Sequence, residues 1–316
     1  METFKKVLVY LSRENSLPRC AKFLQSVTGE FCAPQEDKTF VSCGLDRNRF
    51  IISDREFCDS TRVLLQRPSF CPIKNFPEEQ TSTLPHGVLD RGVDVGVAVI
   101  LQSIDTKVLL TRRAANLHTF PNVWVPPGGH IEPHEQLLDA GRRELAEETG
   151  LQLQEGSYSC RLLGLWESVF PTMLTLGLPK RHHIVAYLLL LSRETHLQLQ
   201  LMARCLPFQA QLRPNQTEVS ASVWLEPRMV EAIVAMVDGA ENSGTILVGL
   251  PPTVQFNLLS AHRVAELCNG AVKTTMLPVS RFLNTVPAAG VDLERVSTGT
   301  KYALQLWLNI LPQLDQ

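Results

Sequence analysis

Three glutamates, Glu144, Glu147 and Glu148, crowd into the stretch "GRRELAEETG", Gly141 to Gly150, beside Arg142 and Arg143. If the stretch is helical, residues three and four apart share a face, so Glu144 lies next to both other carboxylates. Carboxylates so placed repel each other, by roughly a few tenths of a kcal/mol per pair on an exposed helix. A hard divalent cation among them removes that cost. Mg2+ takes oxygen ligands, keeps several waters, and is held by one or two carboxylates together with substrate phosphates. An isolated "RRELAEE" reads as a solvated charged face neutralised by its arginines. The preceding "VPPGGHIEPHE" changes the reading, because Gly128 and Gly129 lead into the helix and let backbone N–H groups approach a phosphate or a carboxylate closely.

Regular elements must hold these residues in place. The spacing in "EPHEQLLDAGRRELAEETG" predicts a helix with Pro133 in its first turn and Gly150 just past its end. Leu137, Leu138, Leu145 and Leu151 offer apolar anchors opposite the acidic face. Around it, "VDVGVAVIL" and "KVLLTRR" read as strands joined by a turn at Ser103 to Thr106, and "VWVPPGG" as a brief strand. Further strands are expected at "YSCRLLGLWESVF", "HHIVAYLLLLS" and "EVSASVWLE", then a helix at "PRMVEAIVAMV". Many strands with one long helix between them imply layered α/β or α+β architecture.

Upstream, "KKVLVYL" reads as a strand, "PRCAKFLQSVTGEF" as a helix, and "KTFVSCGLDRNRFIIS" as a hairpin. A proline-rich linker, "RPSFCPIKNFPEEQTSTLP", follows. Downstream, "GTILVGL" suggests a short strand, "TVQFNLLSAHRVAELC" a helix, and "KYALQLWLNIL" a final amphipathic helix. The division expected is an N-terminal extension over 1–88, a central domain over 89–240 and a C-terminal extension over 241–316.

The 316 residues are 44% hydrophobic, enough for a sizeable core, which argues against wholesale disorder. A net charge of -2 excludes the strong positive excess of a nucleic-acid-wrapping protein, so stable DNA binding is not expected, while a grip on one short nucleotide is allowed. The eight cysteines form no C-x-x-C pair, and buried reduced thiols are the expected state. The apolar run "VLVYL" is too short for a signal peptide core or a membrane span, and the C-terminus "PQLDQ" carries no peroxisomal signal. A cytoplasmic protein with no membrane association is the expectation.

Gly129, Glu135 and the run Arg143-Glu144-Leu145-Ala146-Glu147-Glu148-Thr149-Gly150-Leu151 resemble the box of the Nudix family, G-x5-E-x7-R-E-U-x-E-E-x-G-U, at every defined position. The resemblance covers roughly residues 89 to 240. It implies an α/β/α sandwich around a mixed β-sheet and hydrolysis of a nucleoside diphosphate linked to another moiety. It implies Mg2+ or Mn2+ as cofactor, with Glu144 and Glu148 as main ligands and Glu147 as a further ligand or the general base. Glu135 and Arg143 would brace the loop and helix, and Gly129 and Gly150 would serve backbone geometry. A silent, binding-only Nudix module would be expected to lose box carboxylates, and none is missing.

Substrate choice lies outside the box. "LLTRRAANLHTFPNVWVPPGG" resembles the upstream signature of coenzyme A diphosphatases at Leu109, Leu110, Thr111, Arg113, Ala114, Pro127, Gly128 and Gly129. It departs from that signature at His118, Asn122 and Pro126. "PKRHHIV" places Lys180, Arg181, His182 and His183 just before a strand, where they could touch phosphate or base, with Arg181 and His183 as the candidate contacts, against the plainer reading of solvated loop charge. Trp124, Trp166 and Trp224 read first as buried sheet aromatics and second as stacking platforms. Glu218 stands where some family members hold an extra carboxylate near the metal. The whole layout resembles a vertebrate branch of the family, which implies action on the 5′ end of m7GpppN-capped RNA with release of N7-methyl-GDP.

Overall fold

The computed structural model describes residues 6–77, 79, 81, 84–205, 217–239, 250–258, 273–285 and 293–314. In chain order the strands are β1 (Leu8–Ser12), β2 (Arg19–Cys20), β3 (Lys38–Asp46), β4 (Arg49–Ser53), β5 (Thr61–Gln66), β6 (Asp94–Gln102), β7 (Val108–Arg113) and β8 (Val123–Val125). They continue with β9 (Gly128–His130), β10 (Tyr158–Phe170), β11 (Arg181–Ser192), β12 (Val219–Leu225), β13 (Thr253–Leu258), β14 (Lys273–Pro278) and β15 (Arg295–Val296). The helices are α1 (Val27–Phe31), α2 (His86–Leu89), α3 (Leu137–Thr149), α4 (His196–Cys205), α5 (Pro227–Ala235) and α6 (Thr298–Leu314). Parallel and antiparallel pairings with helices make this the α/β class expected.

The chain divides into two compact units, one of residues 1–98, 129–140 and 162–188, the other of 99–128, 141–161 and 189–316. In the first, β3 pairs antiparallel with both β4 and β5, β1 runs parallel to β4, and β5 runs parallel to the later part of β10. The β3–β4 hairpin closes through a two-residue turn, Arg47 and Asn48, with an Asp46–Arg49 ion pair beside it. Alternating apolar residues, among them Val9, Val41, Phe50, Ile52, Val97, Leu165 and Ile184, fill the core.

In the second unit β7 pairs antiparallel with β8 and β12, β12 continues to β13 and β13 to β14, while β15 runs parallel to β8. Helix α6 buries Tyr302, Leu304 and Trp307, and the Trp307 indole N–H donates to Gln102 Oε1 at 2.7 Å. Glu294 ties this region together by accepting from Arg112 at 3.0 Å and from the Trp124 indole at 2.9 Å.

Three expected elements differ from those observed. The segment 18–31 is helical only over α1, because the Ala21 N–H donates to the Val9 carbonyl and Cys20 pairs with Tyr10, so sheet-edge pairing overrides the helical spacing. Helix α3 begins at Leu137, not at Pro133, because His134 sits at φ 69°, in the left-handed region that ends right-handed helix. The stretch 253–258 is strand β13 instead of helix, held on both edges by β12 and β14, where Val254 and Phe256 suit a pleated surface. Residues 259–268 of that expected helix, and 244–249 of the expected short strand, lie outside the described residues.

Candidate active site

Helix α3 carries the box carboxylates, and Gly150 ends it at φ 76° with its N–H donating to the Ala146 carbonyl. Glu144 is 9% exposed and Glu148 is 4% exposed, nearly as buried as Leu145 between them. The acidic and apolar positions are therefore not opposite faces, since the 3.6-residue period turns Glu144, Leu145 and Glu148 inward together. Fully buried Thr111 on β7 donates its hydroxyl to Glu148 Oε2 at 3.1 Å. Arg143 donates from Nη1 to Glu144 Oε1 at 2.8 Å and reaches Glu147 Oε2 at 3.3 Å. Glu147 itself is exposed.

Burial pushes the Glu148 carboxyl up to about 8, with the Glu144 charge adding to the rise and the Thr111 hydrogen bond and Arg113 charge opposing it. Burial likewise raises Glu144, against its Arg143 contact. Glu218 raises both, which places its carboxylate within electrostatic range of the pair. The Glu218 carbonyl also accepts from the Ala114 N–H at 2.8 Å, which fixes that residue beside the end of β7. Arg113 donates to the carbonyls of Thr119 and Phe120 at 3.0 and 3.2 Å, so its guanidinium is held between the β7–β8 loop and Glu148.

Among the described residues no three His, Cys, Asp or Glu side chains converge as a ready-made metal cage. The donor set still fits a hard divalent ion. Two carboxylates are buried at a cost in their ionised form and offer only oxygen, a cost that a divalent cation would offset.

The remaining expected residues belong to the first unit. Gly129 lies on β9, and its carbonyl oxygen comes so close to Gly96 that a Cβ there would meet it at 2.9 Å. Glu135 accepts from the Glu132 N–H at 3.0 Å, bracing the loop before α3. Lys180 to His183 is not a uniformly solvated loop, since β11 starts at Arg181 and its alternation sends neighbours to opposite sides. Arg181 donates from Nη2 to His130 Nε2 at 2.6 Å, and His183 is half-buried. His182 is fully buried, with Nδ1 2.6 Å from the Phe23 carbonyl and Nε2 3.1 Å from Glu167 Oε1.

Trp124, Trp166 and Trp224 are all buried, as the plainer reading expects. Trp124 is covered by the Arg112 guanidinium at 5.7 Å and packed on Phe282. Glu167 and Asn48 carry no signal in the sequence, because each acts through a partner at least fifteen residues away. His182, expected with its neighbours as a possible substrate contact, is instead a buried partner of Glu167, and Thr111, expected only as part of a strand signature, holds Glu148.

A profile of the NUDIX domain matches residues 92–240. The chain is 54% identical over 312 residues to the m7GpppN-mRNA hydrolase NUDT17 of Xenopus laevis, covering 99% of this chain and 98% of that one. The chain belongs to the Nudix family. This Nudix hydrolase is also 46% identical over 311 residues to the m7GpppN-mRNA hydrolase NUDT17 of Homo sapiens, covering 97% of this chain and 88% of the relative. A solved MutT/nudix family protein from Enterococcus faecalis is similar at 17% identity and a TM-score of 0.36, covering 72% of this chain and 65% of that one. No helix among the described residues is long and apolar enough to cross a membrane.

Proposed function

We propose that this Nudix hydrolase cleaves m7GpppN-capped RNA, adding water across a phosphoanhydride so that N7-methyl-GDP leaves and the RNA keeps a 5′-monophosphate. The observation that carries the chemistry is the buried Glu144–Glu148 pair, and the full-length likeness to two relatives named for that substrate carries its identity. The catalytic domain is assigned to residues 89–240, with 1–88 and 241–316 as extensions. The protein is assigned to the cytoplasm; Cys43 and Cys71 are buried as expected, whereas Cys20, Cys58 and Cys160 are exposed, so burial does not hold for every thiol.

Glu144 and Glu148 would hold Mg2+ or Mn2+, with Glu147 or Glu218 as further ligand. A bound divalent ion supplies charge neutralisation on the phosphates and a more acidic water. The protein's own residues set the geometry. Thr111 fixes Glu148 through Oε2, and Arg143 fixes Glu144 through Oε1. Glu147 is the box carboxylate on α3 that is open to solvent and is assigned as the base that takes a proton from the attacking water. Arg113 is assigned to the transferred phosphates, with Arg181 and His183 as substrate contacts.

The test uses the full-length protein with Mg2+ or Mn2+ on capped RNA, coenzyme A, ADP-ribose and a diadenosine polyphosphate, compared by kcat/KM. Capped RNA is expected to rank first and to release N7-methyl-GDP. Glu148→Gln is expected to lower turnover about 100-fold or more. A first rank for coenzyme A would remove the cap assignment, and an undiminished Glu148→Gln enzyme would remove the ligand assignment.

A further inference from the structure

The loop from Gly128 to Gln136 leads directly into α3 and carries two of the motif residues, Gly129 and Glu135. Three contacts within the first unit hold it. Gly96 leaves just enough room for the Gly129 carbonyl, Arg181 donates to His130, and the His134 N–H donates to Asn48 Oδ1 at 2.9 Å. The third is of a different origin. Asn48 lies at the turn of the β3–β4 hairpin, in the N-terminal segment that precedes residues 92–240 of the domain match.

The acceptor meets the loop at its most strained point. His134 has φ 69°, a left-handed conformation that a residue with a Cβ adopts only when its surroundings impose it. Its N–H ends on the Asn48 side chain. The hairpin can present this oxygen rigidly because its register is fixed on both sides of the turn, from Ser42 opposite Ser53 to Asp46 opposite Arg49. Immediately after His134, Glu135 accepts from the Glu132 N–H and donates its own N–H to the Glu132 carbonyl, which closes the turn that aims the chain into α3.

We propose that Asn48 is a positioning residue of this hydrolase: it clamps the strained His134 backbone and so sets the loop that carries Gly129 and Glu135. The N-terminal segment thereby completes the catalytic loop and is not a detachable appendage. The proposal rests on the hydrolase reading for its kinetic arm only.

In the full-length chain, Asn48→Ala is expected to speed hydrogen exchange of amides 132–136 about fivefold and to lower kcat on capped RNA by a similar factor at unchanged KM. Asn48→Asp keeps an acceptor oxygen and is expected to restore both. In a His134→Gly background, where glycine takes the left-handed backbone freely, Asn48→Ala is expected to change kcat less than about twofold. Wild-type exchange rates in Asn48→Ala would overturn the clamp. Faster exchange with unaltered kcat would overturn the positioning role. If the parent turned over none of the diphosphates, the hydrolase reading would fall, and the exchange rates would still decide the clamp.

Discussion

The Glu167–His182 pair lends itself to a quantitative perturbation, Glu167→Gln. Both side chains are fully buried, and every polar atom of Glu167 is engaged. Oε1 accepts from the Val27 N–H at 2.9 Å and from His182 Nε2 at 3.1 Å, and Oε2 accepts from the Thr28 N–H at 2.8 Å. Ser26 adds its hydroxyl to the carboxylate, and Arg67 in turn donates to that hydroxyl. The Phe23 carbonyl and the Glu167 carboxylate face the two ring nitrogens of His182. An amide in place of the carboxylate would point an NH2 at one of the backbone N–H donors of Val27 and Thr28 and remove the negative charge from the pair.

Burial alone would push the Glu167 carboxyl up. The His182 hydrogen bond and charge, with the Thr28 amide, more than reverse that and hold it at about 2, against an ordinary 4.5. A depressed carboxyl contributes stability that is fully present above the unfolded value and is lost as pH falls through the folded one. The displacement corresponds to about 3 kcal/mol at neutral pH, and about 2 kcal/mol of it disappears between pH 6 and pH 3. Removing the charge from a buried pair costs about 3–5 kcal/mol by itself, so the two routes agree in size. The assay is urea unfolding of parent and Glu167→Gln at pH 6, 5, 4 and 3, followed by tryptophan fluorescence. The gap between the two proteins is expected to be about 3 kcal/mol at pH 6 and to narrow by about 2 kcal/mol at pH 3. A gap below 1 kcal/mol at pH 6, or one that is constant with pH, would refute the ion-pair account.

Two further substitutions probe other parts of the molecule. Gly96→Ala places a Cβ 2.9 Å from the Gly129 carbonyl, which is backbone and cannot swing aside, so the loop must move by roughly half an ångström. Turnover is expected to fall about tenfold, and a parent-like kcat would show that this close approach has no bearing on the reaction. Lys301→Met strips a buried Asp238 of the ammonium that donates to it at 2.8 Å, with exposures of 7% and 1% for the two side chains. Urea titration should register a loss of about 3 kcal/mol, and a loss under 1 kcal/mol would mean Asp238 is compensated elsewhere.

The sequence by itself named the candidate carboxylates. Glu144, Glu147 and Glu148 stand three and four residues apart, and a helix sets such residues side by side. The strands at 94–102, 108–113, 158–170 and 219–225 were legible for the same local reason, an apolar pattern that the backbone period reads directly. Boundaries were not. Pairing with β1 took residues 19–21 from a helix, and β12 and β14 took 253–258, because hydrogen bonds to distant strands outweigh a weak local preference. Burial was also a tertiary decision. Packing turned Glu144 and Glu148 inward and left Glu147 exposed, although the three look alike in sequence. It brought Thr111 to Glu148 across thirty-seven positions and Asn48 to His134 across eighty-six. Spacing names the carboxylates, but their charge, their fixed rotamers and the loop that precedes them depend on contacts that exist only once the chain has folded.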